Sequence, residues 1–285
     1  MLELPGVTHR DVEARGMRFH VAEAGAADAP PVILTHGWPQ HWWLWRHVIP
    51  ALAESHRVIA WDLRGLGWSD PAPDGDYTKT AMADDLLGLM DALEIDRAGL
   101  VGHDWGAFSG LLACLEAPER FTGFVMCSVP HVWPTAKDRR NPHRLLLLAY
   151  QGPLSTPALG AWLVRHGFAE RLLKLGRARG SWTADELRAY GDVMGEPKAA
   201  EASTGIYRQF LTKELPGLVT GKYANERLHV PTRLLAGTGD AAVKGSTLEG
   251  ANADDLTVHW IEGVGHFLPD EAPEIIVQHA RELLG

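Results

Sequence analysis

Residues 100–107 read LVGHDWGA and decide how the rest of the chain is interpreted. An apolar run ends in the pentad Gly102-His-Asp104-Trp-Gly106, and a helical pattern of small and apolar residues follows it. This order predicts a strand, a sharp turn and a helix. Glycines on both sides of Asp104 permit the close backbone approach that such a turn requires, so the turn would push the Asp104 side chain clear of the sheet.

An exposed aspartate at such a turn is a candidate nucleophile. A carboxylate is already an anion at neutral pH and can attack a saturated carbon without the base that serine needs, which gives an alkyl-enzyme ester. An aspartate before a helix is also typical of an ordinary N-cap, where its side chain accepts a backbone N–H. The pentad alone leaves both interpretations open.

Length and composition describe an ordinary globular chain. Its 285 residues, 46% hydrophobic and 22% charged, predict one extended domain that is large enough to carry an inserted subdomain. The formal net charge of -9 disfavours nucleic acid or an anionic membrane as a partner. The N-terminus lacks the features of a signal peptide, and no later stretch reaches membrane-spanning length, so we expect a cytoplasmic protein.

Cysteine and tryptophan usage add two expectations. Cys114 and Cys127 match neither a disulfide framework nor a metal-ligand spacing, which indicates buried thiols in a reducing compartment. Eleven tryptophans are an unusual number, and four of them lie between Trp38 and Trp45. This cluster predicts a large cavity lined by aromatic side chains.

The periodicity of apolar residues predicts the fold class. Strand patterns alternate with helical patterns in the first half of the chain, which is typical of an α/β protein with a mostly parallel sheet covered by helices. The strand patterns lie near residues 7–14, 17–24, 31–35, 57–63, 98–103 and 121–129, and the helical patterns near residues 40–55, 78–93 and 106–117.

The alternation stops after Pro130. From there to about residue 224 the spacing is almost wholly helical; strand patterns resume at 232–236 and 257–261, and a helix is predicted over 272–284. We therefore expect a core domain formed by residues 1–130 and 225–285, with residues 131–224 inserted as a helical cap.

Two further residues have the chain order of a catalytic triad. Asp240 ends the stretch LLAGTGD after one late strand, and His266 lies in GVGHF after the last strand. The order nucleophile, acid, histidine predicts that Asp240 orients His266 and that His266 acts as a base. His103 lies beside the nucleophile, but alternation along the strand should point it away, so we interpret it as structural.

With these residues in place, the chain resembles the epoxide hydrolase branch of the α/β-hydrolase superfamily. The resemblance spans essentially the whole chain and rests on HGWP at 36–39, GHDWG at 102–106, Asp240, and GHF at 265–267. It implies an α/β-hydrolase fold with an inserted helical cap and with Asp104 at its nucleophile elbow. No metal and no organic cofactor is implied.

The resemblance also implies that two cap tyrosines hold and protonate the epoxide oxygen. Tyr207 in IYRQF and Tyr150 in AYQGP look like those two positions, and Tyr207 matches more closely. Tyr190 and Tyr223 stay open as alternatives. Because opening an epoxide develops a strongly basic alkoxide, a positioned acid is needed in the transition state.

The expected function is therefore an epoxide hydrolase that converts a small hydrophobic epoxide to a vicinal diol. Asp104 would form an alkyl-enzyme ester, and water activated by His266 would hydrolyse it. The backbone N–H groups of Trp38 and Trp105 would hold the oxyanion of this second step. The expected partners are the epoxide and water.

Two other functions remain open at this point. A haloalkane dehalogenase uses the same aspartate nucleophile, and the indole N–H groups of Trp105 and Trp38 could bind the departing halide. Such dehalogenases more often carry a polar residue at the Trp38 position, and they lack the paired tyrosines. A ligand-binding module without turnover is less consistent with the chain, because a receptor has no need of a nucleophile, an acid and a base together.

Overall fold

A mixed β-sheet forms the centre of the protein. The computed structural model describes residues 2–135, 143–243 and 248–285. The sheet consists of β1 (Thr8–Ala14), β2 (Met17–Ala24), β3 (Pro31–Thr35), β4 (Arg57–Trp61), β5 (Ala98–His103), β6 (Phe121–Cys127), β7 (Thr232–Gly237) and β8 (Leu256–Ile261). Their spatial order is β1-β2-β4-β3-β5-β6-β7-β8. The pairs β1–β2 and β2–β4 are antiparallel, and the other neighbours are parallel.

The predicted fold class is confirmed. Each strand that the sequence pattern predicts is present, and its ends differ from the prediction by at most two residues. The central parallel strands β3 and β5 are buried along almost their whole length. A strand that is covered on both faces has no solvated side, which explains why these two read as continuous apolar runs in the sequence.

Helices cover both faces of the sheet. α2 and α3 pack in the apolar cluster on one face, and α1 and α11 pack in the cluster on the other. The helices are α1 (Ile49–Leu52), α2 (Lys79–Ala92), α3 (Trp105–Glu116), α4 (His143–Ser155), α5 (Leu159–Arg165), α6 (Phe168–Gly176), α7 (Ala184–Met194), α8 (Pro197–Gln209), α9 (Leu215–Thr220), α10 (Leu268–Glu271) and α11 (Pro273–Leu284).

The single helix predicted near residues 40–55 is wrong. The chain forms a 3₁₀ turn at Trp42–Trp45 and then the single-turn helix α1. Pro50 lacks the backbone N–H that a continuous helix would need, and its ring would clash with the carbonyl one turn earlier. The backbone N–H of Trp42 donates instead to the buried carboxylate of Asp62, over 2.7 Å.

The expectation that the tryptophan cluster lines a cavity fails for two of its members. Trp42 and Trp45 are fully buried in the core between the sheet and α11. Trp38 belongs to the apolar cluster on the other face, together with residues of α3. Trp42 and Trp45 therefore stabilise the core, and Trp38 is the member that reaches the site described below.

Between β6 and β7 the chain forms the helices α4 to α9, which we call the helical insertion (residues 143–220). α8 lies at its centre and packs against α4 and α5. A π-helical turn at Phe210–Glu214 joins α8 to α9. Among the residues that the structure describes, no helix is both long enough and apolar enough to cross a membrane.

The turn after β5 has the strained geometry that the sequence predicts. Asp104 is the residue directly before α3, but its φ of 51° and ψ of -125° are not the extended geometry of an ordinary N-cap, and its side chain makes no N-cap hydrogen bond. Glycine is required at positions 102 and 106 because other backbone atoms lie too close to each of them for a Cβ. A Cβ at Gly106 would lie 2.2 Å from the carbonyl oxygen of His36, and one at Gly102 would lie 2.7 Å from the Cα of Ala107.

We therefore expect Gly106→Ala to lower the free energy of unfolding by at least about 2 kcal/mol, because the new methyl group must displace backbone rather than a flexible side chain. Urea unfolding of the purified variants measures this. The matched control is Gly152→Ala in α4, where a Cβ would meet no atom within 4 Å. That change should alter the free energy of unfolding by less than about 1 kcal/mol, because the helical preference of alanine is offset by the restriction that Pro153 places on the residue before it. Equal stability of the two variants would contradict the close approach at Gly106.

Candidate active site

Three side chains meet at the carboxyl-terminal edge of the sheet. Asp104 follows β5, Asp240 follows β7, and His266 lies in the loop after β8. His266 Nδ1 lies 3.1 Å from each carboxylate oxygen of Asp240, and its Nε2 lies 3.6 Å from Oδ2 of Asp104. Because parallel strands end at one edge, the topology brings together residues that are far apart in the chain.

The charges of this group depend on one another. Burial alone would lower the pKa of His266, but the Asp240 carboxylate and the contact with Asp104 outweigh it and raise the pKa to about 10. Burial would raise the pKa of Asp104, but His266 and the backbone N–H of Trp105 outweigh it and hold the pKa below its ordinary value. At neutral pH an imidazolium therefore faces an ionised Asp104.

The loop after β3 brings a backbone N–H to Asp104. Burial lowers the pKa of His36, so its ring is neutral. Its Nε2 accepts the Leu63 N–H over 3.0 Å, and its Nδ1 donates to the carbonyl of Gly37 over 2.9 Å. The next N–H in the chain, that of Trp38, donates to Oδ1 of Asp104 over 2.9 Å.

The same carboxylate also faces the N-terminus of α3. The backbone N–H of Trp105, the first residue of α3, contacts Asp104 and lowers its pKa. Two backbone donors, from Trp38 and Trp105, are thus directed at one carboxyl group. Donors in this arrangement stabilise negative charge on a carboxylate, and equally on a tetrahedral oxyanion formed at the same carbon.

Two tyrosines of the helical insertion lie close enough to Asp104 to sense its charge. Tyr150 on α4 and Tyr207 on α8 have ring centroids 5.8 Å apart. The ring of Tyr207 also contacts Trp38 and Trp105, at 5.2 and 5.8 Å. Burial raises the pKa of Tyr150 to about 12 and that of Tyr207 well above its ordinary value, and the Asp104 charge adds to both. Both phenols therefore carry their protons at neutral pH.

The two alternative tyrosines have partners in other parts of the fold. The hydroxyl of Tyr190 accepts from Arg46 over 3.1 Å in a buried polar cluster with Asp270. The ring of Tyr223 lies 5.0 Å from the ammonium of Lys222, in the segment after α9. The structure thus favours the pair on α4 and α8.

The indole of Trp38 is already hydrogen-bonded. Its Nε1 donates to Oγ of Ser203 over 2.8 Å, and that hydroxyl donates to the carbonyl of Ala199 over 2.6 Å. Both partners belong to α8. Of the two indole groups that could bind a departing halide, the one on Trp38 is therefore occupied by the helical insertion.

A buried lysine supports Trp105 on the side away from solvent. Lys79 is fully buried, and its ammonium lies 4.4 Å from the centre of a Trp105 ring. The ammonium also contacts Glu214 over 3.0 Å and donates to the carbonyl of Ile206 over 3.0 Å. These contacts connect α2, Trp105 and the helix that carries Tyr207. Sequence reasoning missed them, because a lysine in the first turn of a helix is typical of a solvated residue.

His103 lies beside His266, with the ring centroids 5.0 Å apart, and does not point away from the site as the strand alternation predicts. It is fully buried, and burial lowers its pKa to about 4, so the ring is neutral. Its Nε2 donates to the backbone carbonyl of His266 over 2.8 Å. The sequence gives no indication of this contact, because the acceptor is a backbone atom of a distant loop.

Removal of the Asp104 charge should lower the pKa of His266. We expect Asp104→Asn to lower it by about 1 to 3 pH units, the usual effect of one adjacent opposite charge. An NMR titration of the His266 ring measures this directly. Glu54→Gln is the control, since that carboxylate is exposed and pairs with Arg281 at the surface. An unchanged His266 pKa in Asp104→Asn would contradict the coupling.

Comparison with known proteins shows the family. The family model of the alpha/beta hydrolase fold matches residues 30–273. The soluble epoxide hydrolase of Corynebacterium sp. (strain C12) is 28% identical over 96% of each chain. Epoxide hydrolase A of Mycobacterium tuberculosis (strain ATCC 25618 / H37Rv) is 30% identical over 97% of each chain. The solved structure of the epoxide hydrolase CorEH without ligand has a TM-score of 0.84 at 26% identity and covers 97% of this chain and 98% of that chain. The chain therefore belongs to the alpha/beta hydrolase fold family and, within it, to the epoxide hydrolase branch.

Proposed function

We propose that this enzyme hydrolyses a small hydrophobic epoxide to a vicinal diol through a covalent ester on Asp104. The observation that carries this proposal is the pair of protonated phenols, Tyr150 and Tyr207, beside an ionised carboxylate. A nucleophilic anion and two acids in one buried site are what the opening of a strained C–O bond requires. The epoxide hydrolases among its relatives support the same activity.

The first half-reaction uses Asp104 and the phenols. An oxygen of Asp104 bonds to an epoxide carbon, the C–O bond of the ring breaks, and its electron pair passes to the epoxide oxygen. Tyr150 and Tyr207 hydrogen-bond that oxygen, and one of them transfers its proton to the developing alkoxide. The product of this step is a hydroxyalkyl ester of Asp104.

The second half-reaction begins because the ester carries no charge. Esterification removes one of the two anions that raise the His266 pKa, so His266 can release its proton and restore the phenol. Neutral His266, oriented by Asp240, then deprotonates a water that attacks the ester carbonyl. The N–H groups of Trp38 and Trp105 hold the oxyanion. When it collapses, the ester C–O bond breaks, the departing alkoxide takes the proton of the new carboxyl group, and the diol leaves behind an ionised Asp104 and a protonated His266.

The helical insertion would act as the cap of this site. In this proposal residues 131–224 form the cap, and residues 1–130 and 225–285 form the core domain. Two contacts support it, the bond between Trp38 and Ser203 and the buried pair of Lys79 and Glu214, because each fixes α8 or its extension to the core. They hold the tyrosines in a constant position relative to Asp104.

Dehalogenation is less well supported by the same contacts. A halide is a stable anion that needs only weak donors, and the Trp38 indole that could serve is bonded to Ser203. A panel of aryl epoxides and haloalkanes, scored for diol and for free halide, tests the choice. We expect diol from the epoxides and no halide release; halide without diol would overturn the proposal.

The ester mechanism predicts the origin of the diol oxygen. The experiment uses enzyme in excess over an aryl epoxide in ¹⁸O-labelled water. The diol of the first turnover should contain no label, because one of its oxygens comes from the epoxide and the other from the Asp104 carboxylate. Mass spectrometry of the diol measures the label. Asp104→Ala should fold and show no turnover. Solvent label in the first-turnover diol would mean that water attacks the epoxide directly.

Loss of both phenols should remove acid catalysis of epoxide opening. The double variant Tyr150→Phe/Tyr207→Phe should slow ester formation by about 10²- to 10⁴-fold, and each single variant should lose part of that factor, because the remaining phenol still serves the same oxygen. Rapid-quench mass spectrometry gives the rate of ester formation. Hydrolysis of a preformed ester provides the control, since the phenols take no further part once His266 is neutral. Near-wild-type ester formation in the double variant would exclude the phenols as acids.

A further inference from the structure

The loop that carries His266 is held by one buried carboxylate. The backbone N–H groups on either side of His266, those of Gly265 and Phe267, donate to Glu271 over 2.9 and 3.1 Å. Glu271 lies in α10 and is only 7% exposed. The base is therefore flanked by two peptide groups that share one acceptor.

The same carboxylate also binds the helical insertion. The backbone N–H groups of Ala178 and Arg179, in the loop between α6 and α7, donate to Oε2 of Glu271 over 2.9 and 2.6 Å. In addition, the backbone N–H of His266 itself donates to the carbonyl of Gly176 over 2.7 Å. The loop of the base and the loop 176–179 of the insertion are thus joined through one side chain.

We infer that Glu271 is a positioning residue for His266, and that it couples the docking of loop 176–179 to the placement of the base. This inference rests on the proposed function for its kinetic consequence. Glu271 acts only through the backbone of the 265–267 loop. The orientation of the His266 ring matters because its Nδ1 must contact Asp240, over 3.1 Å, while its Nε2 faces Asp104, over 3.6 Å.

Only a carboxylate of this length can accept all the hydrogen bonds that Glu271 accepts. It accepts four N–H groups, three at Oε2 and one at Oε1. A glutamine side chain has one acceptor oxygen, and its NH₂ group would face backbone donors, so at least one buried N–H would lose its partner. An aspartate keeps the charge but is one methylene shorter, so it cannot reach both loops equally well.

We expect Glu271→Gln to slow hydrolysis of the Asp104 ester by about 10- to 100-fold, the factor expected when a buried donor is left unpaired. Formation of the ester should stay near the wild-type rate, because Asp104, Tyr150 and Tyr207 are carried by other elements. The variant should therefore accumulate the covalent adduct on an aryl epoxide, as His266→Gln would. Intact-protein mass spectrometry with rapid quench measures both steps.

The matched control is Glu274→Gln in the first turn of α11. Glu274 is largely exposed and makes only a long contact of 3.9 Å with Arg179, so this variant removes a neighbouring charge and leaves the hydrogen bonds of Glu271 in place. It should hydrolyse the ester at the wild-type rate. Equal accumulation of adduct in Glu274→Gln and Glu271→Gln would mean that charge alone is responsible and would overturn the inference.

A second measurement does not depend on turnover. The proton that His266 Nδ1 shares with Asp240 should give a downfield NMR resonance in the wild type and in Glu274→Gln, and it should be shifted or broadened in Glu271→Gln. If the wild type forms no adduct with any epoxide, the proposed function fails, and this resonance alone decides the role of Glu271. An unchanged resonance would overturn the inference.

Melting curves establish whether the variants are folded. If Glu271→Gln does not fold, Glu271→Asp replaces it, and it should show a smaller loss in ester hydrolysis and a smaller change in the resonance. Wild-type behaviour of Glu271→Asp in both measurements would then overturn the inference. If Glu271→Gln is folded but hydrolyses the ester as fast as the wild type, the inference is likewise overturned.

Discussion

The close approach between the turn at Asp104 and the loop after β3 is the constraint on which the site depends. The chain accepts a positive φ at Asp104, and neither Gly37 nor Gly106 leaves room for a Cβ. This contact puts the Trp38 N–H on the Asp104 carboxylate and aims the start of α3 at the same group. Without it, a strained aspartate would have no backbone donors to hold its charge, and burial would favour the neutral acid.

The site also depends on the balance of charge among Asp104, His266 and Asp240. Two carboxylates share one imidazolium, and the group as a whole carries an excess negative charge in a buried place. Such a charge is tolerable because Asp240, although fully buried, accepts hydrogen bonds from His266 and from the Ala242 N–H, while Asp104 has two backbone donors. In the proposed mechanism, alkylation of Asp104 would remove one unit of negative charge from this group. The substrate itself would therefore convert His266 from a counter-ion into a base.

Sequence reasoning succeeded where a local pattern has one structural meaning. Buried parallel strands read as apolar runs, and the glycines that flank Asp104 predict a sharp turn, although the pentad alone does not distinguish a nucleophile from an N-cap. Sequence reasoning failed where contacts between residues far apart in the chain determine the local structure or the choice of site residue. The segment 40–55 does not form one helix, because Pro50 interrupts it and the N–H of Trp42 donates to the distant Asp62. The cap tyrosines could be named only by resemblance, since the choice of Tyr150 over Tyr190 depends on how helices pack. The partners of Lys79 and Glu271 lie far away in the chain, so no spacing rule reveals them.

The helical insertion is attached to the core by several polar contacts. Trp38 bonds Ser203, Lys79 pairs with Glu214, and Arg46 contacts Glu186 over 2.6 Å. Buried ion pairs add little net stability compared with apolar packing, but breaking one by losing a partner costs about 3 to 5 kcal/mol. Their effect is therefore to favour a single docking geometry over the many that an apolar surface would permit. Acid catalysis by phenols needs donors within about 3 Å of the reacting oxygen, and a cap held only by apolar contacts would not hold them so closely.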